Sequence, residues 1–404
     1  MHAMCTIIAK NYLAHARTLA QSFLQHHPSG KAFVLLTDEG EGHVNDQGEP
    51  FEWISVRDIG LPDANALRFR YTLLEFNTAV KPFLMDYLIR QRGADKLVYF
   101  DPDILILQRM DELFRLMDRT SIVLTPHILA PMPDDRLYPS EKDVLQAGVY
   151  NLGFIAVTNT PETLRMLAWW KERLLVYCLA EPENGYFVDQ RWMDMAPALF
   201  EGVHIEKSPG YNAAYWNLHE RAIAYEDGMF LANGKPLSFY HFSGFTADLS
   251  RISRHSNRYE WPAFPNLRAL FQLYANRLAA NGHARFSQLR YTYGFFDNQV
   301  RIPPIARSIY RQLGHGAQRF GNPFSTLTPD GFYQWLFFPQ QTPTFLPRLL
   351  NEIYESRPDI RRVFPDPAGT QRKPFLKWAK EFIPIEYGVD SAVWNPVMDA
   401  AATR

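Results

Sequence analysis

Cysteine is nearly absent from this chain: Cys5 and Cys178 are the only two in 404 residues. A disulfide framework is therefore excluded, the fold must rest on its own core, and a reducing compartment is the expected setting. No apolar run reaches the length needed to span a bilayer. The first ten residues, Met1 to Lys10, lack a basic segment followed by a long apolar stretch, so no secretory signal is expected. The first apolar run is not followed by G-x-G-x-x-G, which removes the usual dinucleotide fingerprint. Zinc-ligand spacing, a helix-turn-helix and a stacking platform are also missing, and nucleic acid is not an expected partner. Net charge is close to nil at −1. These absences point to a cytoplasmic protein, with peripheral contact at the inner membrane face left open.

What is present is enough for a large core. Hydrophobic residues make up 47% of the chain and aromatic ones 14%, and a chain of this length divides more naturally into two domains than one. The near-zero charge hides an asymmetry: residues 1–250 hold 22 Lys and Arg against 32 Asp and Glu, whereas residues 251–404 hold 20 against 11. An acidic front and a basic back suggest two regions with different partners.

The front alternates strands and helices. Cys5–Ala9 reads as a strand, Tyr12–His27 as a helix with apolar residues at three- and four-residue spacing, and Phe33–Thr37 as a second buried strand. This βαβ unit predicts a parallel sheet with a right-handed crossover. A helix starting near Lys81-Pro82 feeds the run Lys96–Phe100. Ser121–Thr125 and Asn151–Val157 supply further strands, separated by a long proline-rich loop through Pro139 that suits a lid or acceptor loop. Thr160-Pro161-Glu162 has the cap, first-turn proline and first-turn acid of a helix start. Asp227-Gly228 and Asn233-Gly234 mark two hairpin turns. Beyond about residue 250 helical patterns replace strands, so the expected division is an α/β domain over 1–250 and a mainly helical, basic region over 251–404.

The most informative stretch is Tyr99-Phe100-Asp101-Pro102-Asp103-Ile104. Proline moves Asp101 away from helical geometry and ends the strand, leaving two carboxylates at its carboxyl end, where open α/β sheets bind ligands. Paired oxygen donors suit a hard divalent cation, and such a cation suits phosphate. A solvated Asp-Pro turn is the alternative. His241 is a candidate third ligand, or else a core histidine, and a mixed carboxylate–imidazole set leans toward Mn2+ (or Mg2+).

The Tyr-Phe-Asp-Pro-Asp-Ile stretch resembles the D-x-D motif of nucleotide-sugar glycosyltransferases with the GT-A fold. Asn151-Leu152-Gly153-Phe154, Asp189-Gln190 and His241-Phe242-Ser243-Gly244 follow in the order of the retaining family 8 galactosyl- and glucosyltransferases. The resemblance covers about residues 3–246. It is to a distant bacterial branch, because Phe245-Thr246-Ala247 stands where the family has Lys-Pro-Trp. It implies a Rossmann-like, mostly parallel sheet flanked by helices, and Asp101, Asp103 and His241 as metal ligands. It further implies Asp189 on donor-sugar hydroxyls and Gln190 beside the anomeric carbon, these two being the catalytic candidates. Asp101, Lys81, Asn151, Asn212 and Thr6 complete the donor-binding candidates. For Asp189 a helix N-cap is the competing reading, and for Lys81 a solvated lysine.

The expected activity is metal-dependent transfer of a sugar from a nucleotide donor, with a UDP-sugar foremost, to a glycan or lipid-linked acceptor in surface polysaccharide synthesis. Nucleotidyl or phosphoryl transfer and a non-catalytic glycan-binding role are the alternatives. In the basic region Lys373, Lys377 and Lys380 fall on one helix face opposite Leu376, Ala379 and Ile383, which suits either an anionic membrane surface or a solvated face on a packed helix.

Overall fold

Both faces of the central sheet are covered, which is why its strands are continuous apolar runs and do not alternate. A computed structural model of the chain describes residues 1–40, 42–44, 48–339 and 346–403. They form two compact units, one of residues 1–62 with 77–290 and one of residues 63–76 with 291–404.

In the first unit, β1 (His2–Ile8) leads through helix α1 (Leu13–His26) to β2 (Lys31–Leu36) and then β3 (Glu52–Ser55). β1 pairs parallel with β2 on one side and with β4 (Lys96–Phe100) on the other, so the expected βαβ unit is present. β6 (Ile122–Pro126) and β7 (Tyr150–Thr158) continue the sheet. The full order is Val203–Ile205, β6, β7, β4, β1, β2, β3. The sheet is mostly parallel and flanked by helices, as expected; β7 runs antiparallel to both β4 and β6.

After β4 the chain turns at Asp101-Pro102-Asp103 and leaves the main sheet as β5 (Ile104–Ile106). β5 forms an antiparallel ribbon with Phe239–His241, in a register that sets His241 opposite Ile104. Helix Lys81–Arg92 ends at Gly93 in the left-handed region (φ 66°) and delivers β4. Thr160 caps helix Pro161–Tyr177 by accepting from Thr163 N. The two expected hairpins join Ile223–Glu226, Met229–Ala232 and Lys235–Pro236. Positive φ at Asp227 and Gly228 (48° and 79°), and at Asn233 and Gly234 (50° and 72°), is the pairing that a right-twisted two-residue hairpin needs. The proline-rich loop ends in a helix the sequence did not announce, Glu141–Ala147, none of whose residues is buried.

The expected boundary near Ser250 falls inside the first unit. Helix Pro265–Ala280 places Leu267, Phe271 and Tyr274 in one cluster with Leu13 and Ala16 of α1. Asn281 adds a hydrogen bond to Thr18 Oγ1 at 3.0 Å. The basic excess moves with it: residues 251–290 carry seven arginines against Glu260 alone.

The second unit is mainly helical. Phe69 sits in its core beside Phe296, Tyr310, Phe324 and Phe332. The buried Arg307 guanidinium donates to the carbonyls of Arg68, Phe69, Tyr71 and Tyr293. In helix Arg372–Tyr387, Phe375, Leu376, Ala379 and Ile383 are buried, Lys373 and Lys377 are exposed, and Lys380 pairs with Asp399 at 2.6 Å. No helix among the described residues is long and apolar enough to cross a membrane.

Candidate active site

The end of β4 supplies the first two groups. The Asp101 amide donates to Gly153 O of β7 at 2.7 Å, fixing the backbone, and Tyr99 Oη donates to Asp101 Oδ1 at 2.8 Å. The ribbon supplies the third: Phe242 N donates to Asp103 O at 2.8 Å, so the strand bearing His241 is bonded to the motif itself. His241 Nε2 then lies 3.1 Å from Asp103 Oδ1 and 3.9 Å from Asp101 Oδ2. One ligand atom from each of Asp101, Asp103 and His241 falls within 4.8 Å of the others, a spacing one cation would span. The two carboxylate oxygens and one imidazole fit a divalent ion of the Mn2+ or Mg2+ kind. Both carboxylates are thus drawn toward His241 and are only partly exposed, unlike those of a free surface turn.

Space for the imidazole comes from Gly153. A Cβ there would stand 2.3 Å from His241 Cε1 and 2.8 Å from Asn151 Oδ1. On another side the Trp216 ring meets His241 edge-on at 5.1 Å. Burial alone would push the His241 imidazole down, but the Asp103 carboxylate, with Asp101 behind it, outweighs this and raises it. For Asp103 burial pushes up and His241 more than compensates, leaving it below the ordinary carboxylate range.

Beside this cluster lies a buried ion pair. Lys81 Nζ is 2.5 Å from Asp189 Oδ2, donates to Leu152 O at 2.8 Å and stands 4.2 Å over the Tyr99 ring. Lys81 is 1% exposed, so it is not a solvated lysine. Asp189 stands at the N-cap position of helix Gln190–Met193 but makes no side-chain cap bond to it; its carboxylate pairs with Lys81 instead. Burial raises the Asp189 carboxyl, with Lys81 opposing and Asp101 adding to the rise.

The neighbouring amides are heavily committed. Gln190 Oε1 accepts from Leu152 N at 3.2 Å and its Nε2 donates to Ala147 O at 2.9 Å. Asn151 Oδ1 accepts from Asn212 Nδ2 at 3.0 Å, and Asn151 Nδ2 meets His127 Nε2 at 3.2 Å. Asn212, held at φ 53°, also donates to Thr125 Oγ1 at 2.9 Å, while its buried Oδ1 has no partner among the described residues. Thr6 lies within β1 in register with Val34; its Oγ1 is buried, and no hydrogen bond joins it to the cluster.

Sequence reasoning missed several residues here. Asn217 ties the amide network together by donating to His127 O and Asn212 O, both at 3.1 Å. His15 is pushed down to about 4 by burial, with Asp103 near enough to oppose the shift. Tyr12 and Arg254 reach the same place: burial raises the Tyr12 hydroxyl, Asp103 and Asp101 add to the rise, and the Arg254 guanidinium against it works the other way. Isolated residues of this sort carry no motif; only the folded arrangement brings them together.

No family model matches the chain. Among solved structures it is loosely similar to the galactosyltransferase LgtC in complex with donor and acceptor sugar analogues, at 16% identity over 68% of this chain and 95% of that one, with a TM-score of 0.41. The glycosyltransferase GlyE of Streptococcus pneumoniae TIGR4 aligns at 15% identity over 73% of this chain and 66% of that one, with a TM-score of 0.41. Mouse xyloside xylosyltransferase 1 aligns at 14% identity over 59% of this chain and 97% of that one, with a TM-score of 0.35. In sequence, the uncharacterized protein YfnD of Bacillus subtilis strain 168 is 27% identical over 247 residues, 60% of this chain and 77% of YfnD. The uncharacterized protein YfnF of the same strain is 31% identical over 253 residues, 60% of this chain and 81% of YfnF. The chain belongs to the family of YfnF.

Proposed function

We propose that the chain is a metal-dependent glycosyltransferase of the GT-A kind, a hexosyltransferase that moves a sugar from a nucleotide donor to a glycan or lipid-linked acceptor. The observation that carries this reading is the convergence of Asp101, Asp103 and His241 at the carboxyl end of β4, with the buried Lys81–Asp189 pair beside them. Asp101, Asp103 and His241 would hold the divalent ion, Mn2+ or Mg2+, which would supply Lewis-acid neutralisation of a diphosphate. Asp189 is charged yet buried, a hydrogen-bond acceptor suited to sugar hydroxyls, and Lys81 keeps it ionised. In the reaction the bond from the anomeric carbon to the diphosphate oxygen breaks with its electron pair going to that oxygen. The acceptor hydroxyl bonds to the same carbon and gives up its proton to the departing phosphate.

Retention of configuration is the outcome that the resemblance to the retaining transferases implies. Gln190 is not the nucleophile in this reading, since an amide is weakly nucleophilic and both ends of this one are bonded to backbone. Departure and attack on one face of the sugar follow. We assign Asn151, Asn212 and Thr6 to the wall of the donor site, with a UDP-sugar as the donor and surface polysaccharide synthesis as the setting. The exposed Lys373 and Lys377 suit contact with an anionic membrane surface or a lipid-linked acceptor.

The test is Asp103→Ala, assayed for hydrolysis of a panel of sugar nucleotides with and without Mn2+. The unaltered chain is expected to hydrolyse or transfer from one of them only with metal, and the variant to lose at least about 100-fold, as expected when an ion's ligand is removed. Unchanged metal-dependent turnover in Asp103→Ala, or turnover of nucleoside triphosphates in place of sugar nucleotides, would refute the proposal.

A further inference from the structure

The charges around the cluster do not balance for the ligand proposed above. A divalent ion is matched by the carboxylates of Asp101 and Asp103, so the two negative charges of a nucleotide diphosphate remain uncompensated, and the departing group gains a third. Lys81 does not supply the missing cation, because Asp189 already holds it at 2.5 Å. Arg254 has no carboxylate partner among the described residues, and its side chain is exposed. Its guanidinium lies against the Tyr12 hydroxyl, which also feels Asp103 and Asp101.

The backbone that carries Arg254 is fixed on both sides. The strand that ends at His241 continues into Gly244, held at φ 75°, where an added Cβ would fall 2.2 Å from Ser253 Oγ. The buried Ser253 donates its hydroxyl to Ser243 O at 2.9 Å, and Arg254 N donates to Gly244 O at 2.9 Å. Four residues on, Arg258 grips Asp135 with two bonds of 2.6 and 2.9 Å and donates to the carbonyls of Leu137 and Pro139. Tyr138 N donates to Asn257 Oδ1 at 2.8 Å. A guanidinium that has no carboxylate partner and rests against one hydroxyl, on a backbone fixed at both ends, is pre-organised for an anion, and its fork matches phosphate geometry.

We propose that Arg254 is a diphosphate-binding residue, held by the Gly244 turn and the Tyr12 hydroxyl beside the Asp101–Asp103–His241 cluster. This assignment rests on the sugar-nucleotide reading and adds to it the group that receives the phosphate charge. It also gives the strap through Arg258 a purpose: it fixes where Arg254 stands.

Isothermal titration of the full chain with Mn2+ alone, and then with inorganic pyrophosphate at saturating Mn2+, tests it. Arg254→Ala is expected to bind Mn2+ like the unaltered chain but to bind pyrophosphate about 10- to 100-fold more weakly, the loss of charge-assisted hydrogen bonds. Arg254→Lys should recover part of that, since it restores the charge without the fork. Equal pyrophosphate affinity in Arg254→Ala would overturn the assignment, as would loss of Mn2+ affinity itself, which would make Arg254 a support of the cluster. If the unaltered chain binds no pyrophosphate with Mn2+, the sugar-nucleotide reading fails and this assignment with it.

Discussion

Replacing Lys81 with methionine separates the structural role of the buried pair from its role in donor binding. The substitution keeps an unbranched side chain of similar length in helix Lys81–Arg92 but leaves the Asp189 carboxylate, 2% exposed, without its cation. It also removes the donor to Leu152 O at 2.8 Å and the charge 4.2 Å over the Tyr99 ring. Breaking a buried pair from one side costs about 3–5 kcal/mol, mostly because the remaining charge is uncompensated. Asp189 is already pushed up by burial, so without Lys81 it takes a proton and moderates the loss toward the lower end of that range. Urea unfolding followed by tryptophan fluorescence measures this, and Trp170, whose Nε1 donates to Asp189 O at 3.1 Å, is among the nine tryptophans that contribute. The double variant Lys81→Met/Asp189→Leu should regain most of the stability, since no charge is then stranded. It should nevertheless bind no donor, because the sugar acceptor group is gone. A cost below about 1 kcal/mol for Lys81→Met would refute the reasoning, showing a pair that water screens as it does surface pairs.

Two further outcomes are expected. Gly153→Ala inserts a methyl 2.3 Å from His241 Cε1 and 2.7 Å from its Nδ1, so the imidazole must move. Mn2+ affinity measured by calorimetry should fall at least about 10-fold, with an overpacking cost of about 1–3 kcal/mol; full Mn2+ affinity would refute the assigned geometry. The second concerns acid: burial holds both His15 and His127 down to about 4, so they stay neutral in the fold while the unfolded chain takes up protons near 6.5. The unfolded state thus binds more protons below pH 6.5, and stability present above that pH is lost as pH falls toward 4, by about 3 kcal/mol for each histidine. Urea midpoints of His15→Gln and His127→Gln at pH 7 and pH 4.5 check this: the drop should shrink in each variant, and an undiminished drop would count against it.

The sequence disclosed those parts of the molecule where local chemistry and tertiary structure agree. The strand before Asp101, the turn at Pro102 and the type of both hairpin turns follow from steric restrictions on single residues, and they are present. Helix Glu141–Ala147 escaped notice because it buries nothing and therefore has no apolar stripe to read. The unit boundary was misplaced for the opposite reason. Helices look alike in sequence whichever unit they cover, and only the match of Leu267, Phe271 and Tyr274 to α1 assigns Pro265–Ala280 to the first. Lys81 and Asp189 are 108 positions apart in the chain. No local signal distinguishes a lysine at a helix start that faces water from one that faces a carboxylate.

Two choices of direction and register build the site, and neither is written in any single motif. Because β7 runs against β4, with Phe100 opposite Phe154, the start of β7 lies beside the end of β4. This is what brings Gly153 O to Asp101 N, Asn151 into the amide network and Leu152 O to Lys81. A parallel β7 would set its far end there and leave Asp101 without that anchor. The ribbon makes the second choice. Successive strand residues face opposite ways, so His241 on the aspartate side requires Tyr240 and Phe242 on the other. They are there: Phe242 stacks on Tyr274 at 3.8 Å, and both Tyr240 and Phe242 pack on Phe271. A one-residue slip would bury His241 among these rings and turn a phenol or a phenyl toward Asp101 and Asp103. The aromatic core behind the ribbon therefore selects the register that makes His241 a ligand, and the helix Pro265–Ala280 that supplies Phe271 and Tyr274 belongs to the site's construction although it touches no ligand.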